Sequence, residues 1–96
     1  MMRKLIRADG TTQDLPVGPL TIKTCEHLIN AGTLDTVSLR HMGSPLHVML
    51  LDDLGHKKGL PVNTEATALY HANCRPGTTH TIRGDVIVVP DHEFTA

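Results

Sequence analysis

Aromatic side chains are nearly missing: Tyr70 and Phe94 are the only two, and there is no tryptophan. A surface that stacks single-stranded bases uses several rings, so that mode of nucleic-acid binding is excluded. A charge excess of one sign is lacking too. Nine Lys and Arg against ten Asp and Glu leave a formal net charge of −1, too little for a general electrostatic grip on duplex DNA. No run of about twenty apolar residues exists to span a bilayer. The opening "MMRKLIRADG" carries basic residues but no apolar stretch behind them, unlike a secretory signal. Cysteine is limited to Cys25 and Cys74, and without an export signal two thiols point to a reduced, cytoplasmic protein. CxxC pairs, HExxH patterns and P-loop spacings are absent, so neither a metal nor a cofactor is expected.

What is present is an aliphatic chain of 96 residues, enough for one domain spanning 1–96 and no second core. At this size subunit contacts are a natural way to gain burial, and a homo-oligomer is expected. Seven histidines, at positions 27, 41, 47, 56, 71, 80 and 92, are many for the length but scattered along it. Scatter favours solvated or packed histidines over a built site.

"RKLIRADGTTQDL" reads as two short strands joined at Asp9-Gly10, a dipeptide that tolerates positive φ. In "TIKTCEHLINAG", Ile22, Cys25, Leu28 and Ile29 share a face at helical spacing, with Thr21 as N-cap and Gly32 at the C-cap position. "LDTVSLRHM" alternates, and "LHVMLLDD" is more continuously apolar; a turn through Gly43, Ser44 and Pro45 makes them a hairpin, with His41 and His47 flanking the turn. Asn63 caps a short helix over about 64–72 that Asn73 can end. "HTIRGDVIVVPD" is the last strand, interrupted by Gly84, with Asp85 placed to accept from local amides. The order β-β-α-β-β-α-β predicts an α+β fold, with a mostly antiparallel sheet and both helices packed on one face.

Polar chemistry gathers around the second helix. Lys57 and Lys58 precede its N-terminus, where unpaired amides and a partial positive charge suit an anion. Arg75, with its planar donor fork, and the Thr78 hydroxyl follow in "CRPGTTH" at the other end, about 15 Å away at the helical rise. One small ligand touching both ends therefore calls for a neighbouring subunit or a folded-back loop. Lys57, Lys58 and Arg75 are the candidate phosphate partners; Asn63, Thr67 and Tyr70 are candidates to orient ribose or base; Thr78 and Arg83 are further donors. Each loop also has a plain reading as a connection, with Pro61 and Asn63 as its punctuation.

"KGLPVNTEATALY" followed by "IRGDVIVV" resembles a set of short uncharacterised proteins frequent in phages and actinobacteria, catalogued as a domain of unknown function. The likeness covers roughly the C-terminal forty residues: Lys58 to Asn63, Ala66 to Tyr70 and Gly84 to Val89. It implies a mobile-element context in which small proteins act by binding, for instance by sequestering a nucleotide signal of host defence, and it carries no catalytic activity to transfer. The resulting expectation is a non-enzymatic protein that holds an anionic nucleotide-like ligand at a subunit interface, with no membrane or duplex nucleic-acid partner. A protein-binding inhibitor or adaptor of a host protein, docking through a strand edge, is the alternative. A small hydrolase or nuclease using histidines with Asp85 is the third.

Overall fold

The structure, a computed structural model, describes residues 3–15, 20–40, 46–73 and 80–90 and the backbone of 94–95. β1 (Lys4–Ile6) and β2 (Thr12–Asp14) form the first hairpin. Its turn closes because the Asp9 carboxylate accepts from the Thr11 amide at 2.9 Å and hydroxyl at 2.6 Å, while Gly10 takes φ 94°. Those bonds hold the Asp9 carboxyl below its ordinary pKa. β3 (Leu20–Thr21) leads directly into α1 (Ile22–Ile29), where the Thr21 hydroxyl accepts from the Thr24 amide as the N-cap. The helix ends two residues before the expected Gly32. Asn30 itself adopts the left-handed conformation, φ 55° and ψ 45°, which asparagine tolerates better than other side chains.

β4 (Leu34–Leu39) and β5 (His47–Asp52) pair antiparallel over six residues each, from Leu34 opposite Asp52 to Leu39 opposite His47. α2 (Thr64–Ala72) is capped by Asn63 and ended by Asn73, and β6 (Val86–Pro90) follows. The last strand is therefore shorter than its apolar pattern suggested: Gly84, at φ 82°, breaks it, and Arg83 makes only an isolated bridge to Val62. β7 (Phe94–Thr95) pairs parallel with β3 in a separate two-stranded sheet. Two-residue strands show no period in a sequence, so this pair adds to the expected order.

The fold is α+β. Its main sheet has five strands in the order β2-β1-β6-β5-β4, with every pairing antiparallel. The expectation of both helices on one face is overturned. Val48, Leu50, Ile87 and Val89 point to one side, where they bury Cys25 and Ile29 of α1. Met49, Val86 and Val88 point to the other, against Ala66, Leu69 and Tyr70 of α2. Strands covered on both faces are apolar at every position, which is why β6 is buried throughout. Cys25 is fully buried as a small core residue, and burial pushes its thiol up to about 11, so it is protonated and inert at neutral pH. No described helix is long and apolar enough to cross a membrane.

Candidate functional site

The "KGLPVN" segment and the "IRGD" segment are clasped together. Asn63 is at their centre and only 1 % exposed. Its Nδ2 donates to the carbonyls of Ile6 at 3.0 Å and Gly84 at 2.9 Å, and its Oδ1 accepts from the Ala66 amide at 3.0 Å. Its backbone N–H donates to Ile82 O at 2.8 Å, and its backbone carbonyl accepts from the Thr67 amide at 2.9 Å. Around it the Gly84 amide donates to Pro61 O at 2.8 Å, and Arg83 Nη1 donates to Leu60 O at 2.9 Å. The Thr67 hydroxyl accepts from the Ile82 amide at 2.9 Å and faces Ile82 O at 3.3 Å. A Cβ at Gly84 would lie 2.8 Å from Leu60 Cδ1, so the glycine lets the two segments close on each other.

This geometry redistributes the expected ligand donors. The Asn63 amide and the Thr67 hydroxyl are committed to the fold and do not reach a ligand. Lys58 Nζ lies 2.7 Å from Oδ2 of the buried Asp52, whose Oδ1 accepts from the Leu54 amide at 2.8 Å. Lys57 is exposed in the turn after β5. Arg75 and Thr78 lie outside the described residues, as do His41 and Cys74. Asp85 does not bond local amides; its Oδ1 accepts from the Ala8 amide, 77 residues away, at 3.0 Å.

Tyr70 and Arg83 do come together, on a recess of about 160 Å³ between α2 and the β4–β5 end of the sheet. Asp35 and Val37 of β4 line it together with His56 and His80. The His56 and His80 ring centroids are 4.9 Å apart, and Tyr70 meets His80 edge-on at 6.3 Å. Backbone contacts hold this group in place: His56 Nε2 is 3.2 Å from Thr81 O, and His71 Nε2 is 2.6 Å from His80 O. A ring nitrogen facing a carbonyl donates to it, so these contacts fix the orientation of both rings.

Asp52 and Asp53 also line the recess; Asp52 is already paired with Lys58, so among the described residues Asp35 and Asp53 are the carboxylates that stand beside the Arg83 guanidinium. Such a lining disfavours a multiply charged anion inside and favours a ligand group that donates hydrogen bonds. Among the described residues no group of three or more His, Cys, Asp or Glu is placed to hold a metal ion. His80 and Asp85, the pair a hydrolytic reading would use, line different depressions. The sequence pattern singles out Tyr70 and Arg83, and His56 only as added charge before the helix N-terminus; it does not single out Asp35 or His80 as ligand partners. Nothing in their spacing marks them, because a strand, a turn and the irregular segment before β6 bring them together. No family model matches the chain, nor does any curated protein or solved structure.

Proposed function

We propose that this is a non-enzymatic binding protein for a nucleotide-like small molecule. The heterocyclic base occupies the recess, edge-on to Tyr70 and beside His56 and His80, and its N–H groups face Asp35 and Asp53. The phosphates remain outside, toward Arg83 and the exposed Lys57. The observation that carries this reading is the recess itself, lined by the rings of Tyr70, His56 and His80 together with the carboxylates of Asp35 and Asp53. A base is the common ligand fragment that offers both a π face and several N–H donors. The recess is smaller than the roughly 300–1,000 Å³ of most small-molecule sites, so a whole nucleotide extends beyond it and a second chain at the rim would complete the enclosure.

Isothermal titration with linear and cyclic nucleotides, the corresponding nucleosides and inorganic phosphate tests the reading. Nucleotides and nucleosides should bind and phosphate alone should not, and Tyr70→Ala should weaken binding by about tenfold or more. Absence of binding by every nucleotide and nucleoside overturns it.

A further inference from the structure

The five-stranded sheet ends in two different ways. At one end, β2 has three residues, all exposed and polar, and finishes on Asp14. Shortness and charge are the usual protection of an edge. At the other end, β4 has six residues, "LDTVSL", with no Lys, Arg, Pro or Gly and an uninterrupted one-to-one register with β5. It carries none of the devices that blunt an edge except one carboxylate, Asp35.

Hydrogen bonding shows which backbone groups this edge presents. The Asp53 amide donates to Thr33 O at 3.2 Å, so the odd-numbered residues of this stretch turn their backbone toward β5. Leu34, Thr36 and Ser38 consequently turn theirs outward. An independent contact agrees: the Thr36 amide is taken by the preceding Asp35 Oδ1 at 2.9 Å rather than by a strand. Among the described residues, no further strand pairs along this edge.

We propose that β4 pairs antiparallel with β4 of a second copy of this chain, joining two five-stranded sheets across a two-fold axis. Outward-facing residues must meet outward-facing residues, which restricts the axis to a residue position rather than a gap between residues. An axis at Asp35 would set two carboxylates opposite each other and is disfavoured by charge. An axis at Thr36 sets Thr36 opposite Thr36, Leu34 opposite Ser38 and Asp35 opposite Val37. An axis at Val37 sets Val37 opposite Val37 and Thr36 opposite Ser38. Neither opposes like charges, so the strand can pair with itself without repulsion. That self-compatibility, with the contrast to β2, is what points to a second copy as the occupant. Because Asp35 and Val37 also line the recess, the pairing brings the two recesses of a dimer to a shared seam. The pairing itself does not depend on any ligand.

Sedimentation equilibrium across a range of concentrations tests the pairing. The wild-type chain should be a dimer. In Thr36→Pro the lost N–H is an outward one, so the β4–β5 ladder survives while the edge loses a donor that has to exchange Asp35 Oδ1 for the second copy when the strands pair. Thr36→Lys provides a second route, placing like charges at the seam without altering the backbone. Each variant should keep the wild-type far-UV circular dichroism and raise the dimer Kd by about tenfold or more. Amide exchange at Ser38 should be slow in the dimer and fast in Thr36→Lys. A monomeric wild-type chain, or folded variants that dimerise as tightly as wild type, overturns the proposal.

Discussion

The two ends of α2 stand in contrast. At its N-terminus, Asn63 is sealed from solvent with both side-chain donors, its side-chain acceptor and both backbone groups bonded within the chain. Beside its C-terminal half, Tyr70 lines a recess whose other rings among the described residues, His56 and His80, are exposed. In sequence, both ends offered polar side chains suited to a ligand. In the fold, one end uses its polar groups to hold segments together, and the other presents them at a cavity. Polar atoms next to a helix N-terminus are as useful to a fold as to a ligand, and burial decides between the two.

The largest effect that can break this contrast is at Asn63. Asn63→Ala strands the Ile6 and Gly84 carbonyls and uncaps α2, and it should lower the stability in urea by about 3 kcal/mol. Asn63→Asp keeps a capping oxygen but turns a second one toward those carbonyls in a buried site, and should cost at least as much. A loss below about 1 kcal/mol in both would mean that the clasp does not hold the fold. Gly84→Ala comes next. It combines a positive φ with a Cβ pressed on Leu60 and should cost about 1–3 kcal/mol; a Leu60→Ala background should relieve the contact but not the backbone strain. The smallest stability effect belongs to the recess. His56→Ala removes an exposed ring with one backbone contact and should change stability by less than about 1 kcal/mol while reducing nucleotide binding. Destabilisation by His56→Ala as large as that by Asn63→Ala would erase the distinction between the two ends.

Much of the fold was legible because it is local. Thr21 and Asn63 as caps, the Asp9-Gly10 turn and the β4–β5 hairpin all follow from short-range rules of φ, hydrogen bonding and periodicity. Gly32 misled because Asn30 takes the left-handed position first. The strand through Gly84 misled because apolar pattern runs on where the backbone turns away. The arrangement of the helices was less accessible. The continuous apolar run of β5 and β6 already signalled burial on both faces, yet only the alternation of Val48 and Leu50 against Met49 assigns each helix its side.

The motif "KGLPVN…IRGD" shows where legibility stops. Its residues stood out in sequence and suggested a binding segment, and in the structure several of them make tertiary contacts instead. Gly84 admits Leu60, Arg83 donates to the Leu60 carbonyl, Asn63 ties three segments, and Asp85 takes the Ala8 amide. The order of residues alone settles the α+β class, the caps at Thr21 and Asn63 and the Asp9-Gly10 turn, because those depend on neighbours within a few positions. That Asn63 is sealed while Tyr70 faces a cavity is settled by the assembled fold. The partners responsible, Ile6 and Gly84 for one and His56 and His80 for the other, are distant along the chain and meet only when the sheet assembles.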